Sequence, residues 1–252
     1  MKLRIILIIL MIASVFCSSN KKIDLKNVKN DPLIHLQQGA IYLKEQKCQE
    51  AINEYLQYIS KKNDNPEAYN FLGLSYLCVK DFASAKSSFQ KALALDPLYT
   101  EVHNNLGILY MEMNDLENAE KEFLEYLKNK NISPAAVYYN LATLYVKKKD
   151  YESALFSAKK CIQFQQDSEA PYLLYITILE QMGKFDEAMN EYKNLLEKFP
   201  NSQLGHYNFA LLLLKYNEPC EAKNHLTKAV EIDPSTPTGI AATEKLKLTQ
   251  CK

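Results

Sequence analysis

Four histidines and six cysteines are the side chains of this protein that could hold a metal, relay a proton or form a covalent bond. Their spacing builds none of the sites such chemistry needs. There is no H-E-x-x-H pair to place two imidazoles on one helix face, and no G-x-S-x-G turn to expose a nucleophile. There is also no phosphate-cradling glycine loop and no paired metal-ligand spacing. His225 stands alone on its segment. The residues therefore predict no catalysis, no cofactor and no metal. With 30 basic against 30 acidic residues, no overall field draws the protein to nucleic acid. The one arginine, Arg4, lies at the extreme N-terminus, so the residue that forks onto phosphates and guanines is missing from the body of the sequence. A hydrophobic content of 47% is nevertheless enough for a substantial core.

The elements that position these residues follow from an internal rhythm. Gly39, Gly73 and Gly107 recur every 34 residues, inside Gln-Gln-Gly-Ala-Ile-Tyr, Phe-Leu-Gly-Leu-Ser-Tyr and Asn-Leu-Gly-Ile-Leu-Tyr. Asn-Leu-Ala-Thr-Leu-Tyr continues the series with Ala142. An alanine follows in every copy, at Ala51, Ala85, Ala119, Ala154, Ala188 and Ala222. Four residues further on stand Tyr55, Phe89, Phe123, Ala158, Tyr192 and Leu226. Late prolines at Pro97, Pro200 and Pro234 stop a helix, because the residue before proline is pushed out of the helical region.

Over residues 32–236 this pattern resembles the tetratricopeptide repeat family. The resemblance implies an all-α, right-handed superhelix, an α-solenoid of six helical hairpins. The repeats are placed at 32–65, 66–99, 100–134, 135–168, 169–202 and 203–236. Within each, a small residue in helix A lets helix B approach closely. Residues 237–252 are expected to form a capping helix over the last hairpin's apolar face.

In this register His35, His103 and His206 share the fourth repeat position, where Tyr69, Tyr138 and Tyr172 stand in the other copies. They are expected to be packing residues. Cys161 replaces a small residue of helix B and is expected to be a buried thiol. Cys48 and Cys78 sit on neighbouring edges of stacked repeats, and Cys220 and Cys251 repeat that relation. Two disulfides, Cys48–Cys78 and Cys220–Cys251, or four free thiols are the open alternatives.

Binding in such arrays usually lies on the concave face lined by helices A. Repeats one and two bring Leu36, Asn70, Phe71, Leu74 and Leu77 to it. Repeats three and four bring Asn104, Asn105, Ile108, Tyr139 and Asn140, and repeat six brings Tyr207 and Asn208. Amides that can hydrogen-bond a backbone alternate there with apolar side chains, which suits a protein or peptide ligand. The basic positions of a carboxylate clamp hold Leu36, Glu101 and Asn105, so the C-terminal carboxylate of a partner is not the expected ligand.

Residues 1–16 read as a signal peptide: Lys2 and Arg4 precede an apolar run from Ile5 to Phe16. Cys17 at its end resembles the lipidated cysteine of a bacterial lipoprotein, simple cleavage to a periplasmic protein being the alternative. Residues 17–31 would then be a flexible tether. Six repeats behind such a leader resemble the PilF/PilW type IV pilus biogenesis lipoproteins, the pilotins. That resemblance implies an outer-membrane lipid anchor through Cys17 and a role in assembling or localising the secretin, the ring through which the pilus emerges. Two other expectations stand beside it: a general envelope adaptor for outer-membrane or peptidoglycan machinery, and the recognition subunit of an envelope enzyme.

Overall fold

The structure, a computed structural model, describes residues 31–250. The leader read at 1–16, Cys17, most of the 17–31 tether and Cys251 lie outside the described residues. Among the described residues there are thirteen helices and no strand. Helices α1 (Pro32–Lys44) and α2 (Cys48–Lys61) form the first hairpin, and α3 (Pro66–Cys78) and α4 (Phe82–Leu95) the second. Then follow α5 (Glu101–Glu112) with α6 (Leu116–Tyr126), and α7 (Ala135–Lys148) with α8 (Tyr151–Phe164). The last hairpins are α9 (Ala170–Gln181) with α10 (Phe185–Lys198), and α11 (Gln203–Lys215) with α12 (Pro219–Ile232). Helix α13 (Pro237–Leu248) is the last described element.

Every A-to-B turn is built alike. The residue at the fifteenth repeat position takes the left-handed conformation: Gln46, Lys80, Asn114, Lys149, Gly183 and Asn217, with φ between 58° and 74°. On the next residue an N–H reaches back to close the helix end; Asp81 N–H donates to Tyr76 O at 2.9 Å and Asp150 N–H to Tyr145 O at 2.9 Å. This is the Schellman arrangement, which satisfies carbonyls that the helix leaves open. Only one copy uses glycine, so the side chains of Gln46, Lys80 and Lys149 carry a steric cost there. In repeats two, three and four helix B then starts on a side-chain cap: Asp81, Asp115 and Asp150 accept from the N–H of Ser84, Asn118 and Ser153.

The hairpins close on a complementary pair. A methyl added at Gly39 would come within 2.8 Å of the Tyr55 ring, one at Gly73 within 2.6 Å of Phe89, and one at Gly107 would overlap Phe123. The bare glycine thus makes room for an aromatic ring from helix B. In repeat four, Ala142 shares the core with the equally small Ala158. In repeat five, Ile176 stands at the glycine position, and Tyr192 keeps its buried hydroxyl satisfied by donating to Glu180 at 2.7 Å.

The protein divides into two compact units, one ending at Pro97 and one beginning at Leu98. The first unit has its own core of Ala51, Ile52, Tyr55 and Leu72. It also has a disulfide between Cys48, which opens α2, and Cys78, which closes α3, with a Cα separation of 6.1 Å. The second unit holds four hairpins and α13. Its C-terminal end is fastened by Gln203 on α11, whose amide donates to Ala229 O at 2.8 Å and accepts from Thr236, the N-cap of α13, at 2.7 Å. Gly239 lies so close to the Asp233 carbonyl that no larger residue fits. Helix α13 covers the last hairpin with Ala242, which is fully buried.

Candidate functional site

The helix-A face of each unit carries the residues expected to bind. In the first unit Leu36, Leu74 and Leu77 are half-buried and Asn70 is buried at 4% exposure. Phe71 stacks on Tyr55 with ring centroids 5.9 Å apart, so it is committed to the core beneath as well as to the surface. In the second unit α5 and α7 bring two of the amides together: Asn140 Nδ2 donates to Asn104 Oδ1 at 2.8 Å. Tyr139, beside that pair, is 37% exposed and stands open to solvent. Asn105, Ile108, Tyr207 and Asn208 are half-buried on α5 and α11. This face therefore offers an amide pair, an open phenol and an apolar floor, a set that can hydrogen-bond and bury another polypeptide.

The histidines are not simple packing residues. His35 Nδ1 meets Glu54 Oε2 at 2.7 Å, and His103 Nδ1 meets Glu122 Oε2 at 2.7 Å. His225, expected to stand alone, meets His206 Nδ1 with its own Nδ1 at 2.8 Å. All three pairs join the fourth repeat position to the twenty-third, across the hairpin. The signal was in the sequence: Glu54, Glu122 and His225 each follow a histidine by nineteen residues. Where tyrosine holds the fourth position, the twenty-third holds Ser88 opposite Tyr69, Ser157 opposite Tyr138 and Glu191 opposite Tyr172.

The His206–His225 pair is neutral by construction. His206 Nε2 lies 3.1 Å from Pro200 O, so it carries the proton and leaves Nδ1 to accept from the Nδ1–H of His225. A further proton would set two N–H groups head to head. Burial lowers both pKa values, with the Pro200 carbonyl partly opposing the effect on His206. The His225 value falls to about 4, with His206 and Lys193 adding to the effect of burial.

Of the cysteines, Cys48 and Cys78 are bonded to each other. Cys220 is disulfide-bonded, and Cys251 lies outside the described residues. Cys161 is a buried free thiol whose pKa is pushed up by burial, so it is chemically quiet. Among the described residues no group of three or more His, Cys, Asp or Glu side chains could hold a metal ion. No described helix is long and apolar enough to cross a membrane.

Comparison with known proteins agrees with this geometry. Tetratricopeptide repeat families match residues 79–133, 135–168 and 172–202. Human protein O-mannosyl-transferase TMTC3 is 26% identical over 206 residues, 72% of this protein but 22% of its own length. The uncharacterized protein ycf37 of Cyanophora paradoxa is 28% identical over 113 residues, 44% of this protein and 66% of its own. The match thus spans less than two thirds of either relative. Among solved structures, PilW, a widely conserved type IV pilus biogenesis factor, superposes with a TM-score of 0.71 at 16% identity, covering 84% of this protein and 98% of PilW. PilF of Pseudomonas aeruginosa gives 0.66 at 16% identity, covering 85% of this protein and 97% of PilF. Yeast Tom70 gives 0.64 at 20% identity, but only 43% of Tom70 is covered. Helical hairpins in a 34-residue register, closed by a small residue against a large one, make this a tetratricopeptide repeat protein, a scaffold for protein interaction whose fold is similar to that of type IV pilus biogenesis factors.

Proposed function

We propose that the protein is an exported, non-enzymatic scaffold that holds a protein segment on its helix-A face and assists assembly or localisation of a type IV pilus secretin. The observation that carries this reading is the extent of the structural match. PilF and PilW are covered almost end to end while accounting for 84–85% of this protein, whereas longer repeat proteins such as Tom70 match over less than half their length. A signal peptide at 1–16 and a lipid on Cys17 belong to the same proposal. They would hold the repeats at the outer membrane and raise the effective concentration of scaffold beside a membrane-bound partner.

A photo-crosslinking residue at Tyr139, tested in the native cell, addresses this directly. Tyr139 is the better probe because Phe71 is also part of a core stack. The expected result is capture of the secretin, together with loss of secretin multimers when the gene is deleted. Normal multimers with altered cell shape or division would instead support the envelope-adaptor reading. Capture of a catalytic subunit would support the enzyme-subunit reading.

A further inference from the structure

The second unit has a trough between the B helices α6 and α8, lined by residues other than those of the face described above. Tyr138, Leu141 and Tyr145 of α7 form the floor. One end opens as a cavity of about 380 Å³, walled by Leu124 and Leu127 of α6 and by Phe156 of α8. The other end is a cavity of about 400 Å³ under Ile132, Pro134 and Phe164. Leu127 and Tyr138 line both, so the two cavities adjoin along the trough.

The trough's lining differs from the matching positions of repeats one and three, and at Phe156 from every other copy. In repeats one and three a glutamate at the twenty-third position reaches across to a histidine. In repeat four that position is Ser157, whose hydroxyl turns back to Ser153 O at 2.9 Å, while Tyr138 stacks on Phe164 with centroids 6.0 Å apart. At the twenty-second position five copies are polar, Asn53, Ser87, Lys121, Asn190 and Asn224, and the sixth is Phe156. Phe156 is 60% exposed, Phe164 51% and Leu124 47%. An isolated exposed apolar residue needs no explanation, but three around one trough do.

The charges at the two ends are of opposite sign. Glu152 stands at the first cavity and Lys130 at the second. Of the neighbouring charges, Lys148 bridges Glu117 and Glu120, Lys128 pairs with Glu125, and Lys160 lies over the Phe156 ring, 5.8 Å from its centroid. Among the described residues no ion pair is formed by Glu152 or Lys130. Because the walls are helices with internally satisfied backbones, they offer no edge to an added strand, and an occupant must satisfy its own backbone.

We infer that this trough is a second docking site, independent of the helix-A face. It takes an amphipathic helix from a partner protein, with a basic residue at the Glu152 end, two large apolar anchors in the cavities and an acidic residue at the Lys130 end. The helical rise from Glu152 to Phe164 sets the length at roughly 18 Å, about three turns. The apolar anchors supply affinity, and the two end charges fix the direction in which the helix lies.

The test is selection of a displayed library of helical peptides, roughly fourteen residues long, on the full-length protein. Enriched peptides should carry the base, apolar, apolar, acid order and should lose about tenfold or more in affinity on Phe156→Glu. They should weaken on Glu152→Lys and recover when their own base is exchanged for glutamate. Tyr139→Glu should leave their affinity unchanged, which separates this site from the helix-A face. Circular dichroism of each variant establishes that it is folded. The inference is overturned if no peptide is enriched, or if the enriched peptides lack the charge order. It is equally overturned if folded Phe156→Glu binds them as before, or if Tyr139→Glu abolishes binding. Self-association in sedimentation that Phe156→Glu removes would also overturn it, by assigning the trough to a second copy of this protein.

Discussion

At the scale of single residues, the pairing of His206 with His225 has a consequence for pH. Both rings are held neutral in the fold, and the pKa of His225 falls to about 4, while a histidine in the unfolded state titrates near 6.5. The unfolded state therefore takes up protons first as the solution is acidified. Stability that is fully present above about pH 6.5 is lost as pH falls towards 4. Lys193 on α10 and Lys228 on α12 add to the disfavour of a charged pair, and no carboxylate is among the causes of either shift. The loss should be about 1–2 kcal/mol, allowing for partial exposure of the ring. Urea unfolding of α11 to α13 at pH 7 and pH 4.5 measures it. His225→Glu gives repeat six the pair found in repeats one and three, and should move the loss to lower pH; an unchanged profile would show that the pair is not its source.

Between elements, the hairpin closes on a size match rather than on any one residue. Gly107 leaves room for Phe123, while Ala142 and Ala158 solve the same contact with two small side chains. Gly107→Ala alone should cost about 1–3 kcal/mol by overpacking, and Phe123→Ala alone about 3–5 kcal/mol by leaving a cavity. The double variant reproduces the pairing of repeat four, so its cost should fall short of the sum by about 1 kcal/mol or more. A denaturation cycle on the four proteins decides this. Strict additivity would mean that the two positions do not close on each other.

For the molecule as a whole, the Cys48–Cys78 disulfide acts on one unit alone. It belongs to the first unit, which has its own core, and it bridges residues 30 apart in sequence. Constraining a loop of that length contributes roughly 3–4 kcal/mol through the unfolded state. Cys48→Ser with Cys78→Ser should accelerate amide exchange across α1 to α4 by about that free energy and leave α7 to α11 protected as before. Equal acceleration in both units would show that they unfold together.

Much of this was legible in the sequence because a repeat states each packing position several times. The glycine series, the invariant alanine of helix B and the proline stops each recur at fixed intervals, so hairpin number and helix type follow from periodicity alone. The left-handed turn residues were not legible, since five of the six are Gln, Lys or Asn and only the closed helix end holds them at positive φ. The nineteen-residue spacing of His206 and His225 was legible, but their contact depends on two helices meeting across the hairpin. The commitment of Phe71 to a core stack, the amide pair of Asn104 with Asn140 and the trough beside Phe156 likewise required three dimensions. Repetition along the sequence encodes how each hairpin closes. Which side chains meet across neighbouring helices, and which charges stay unpaired at the surface, depends on distances that only the folded packing brings into being.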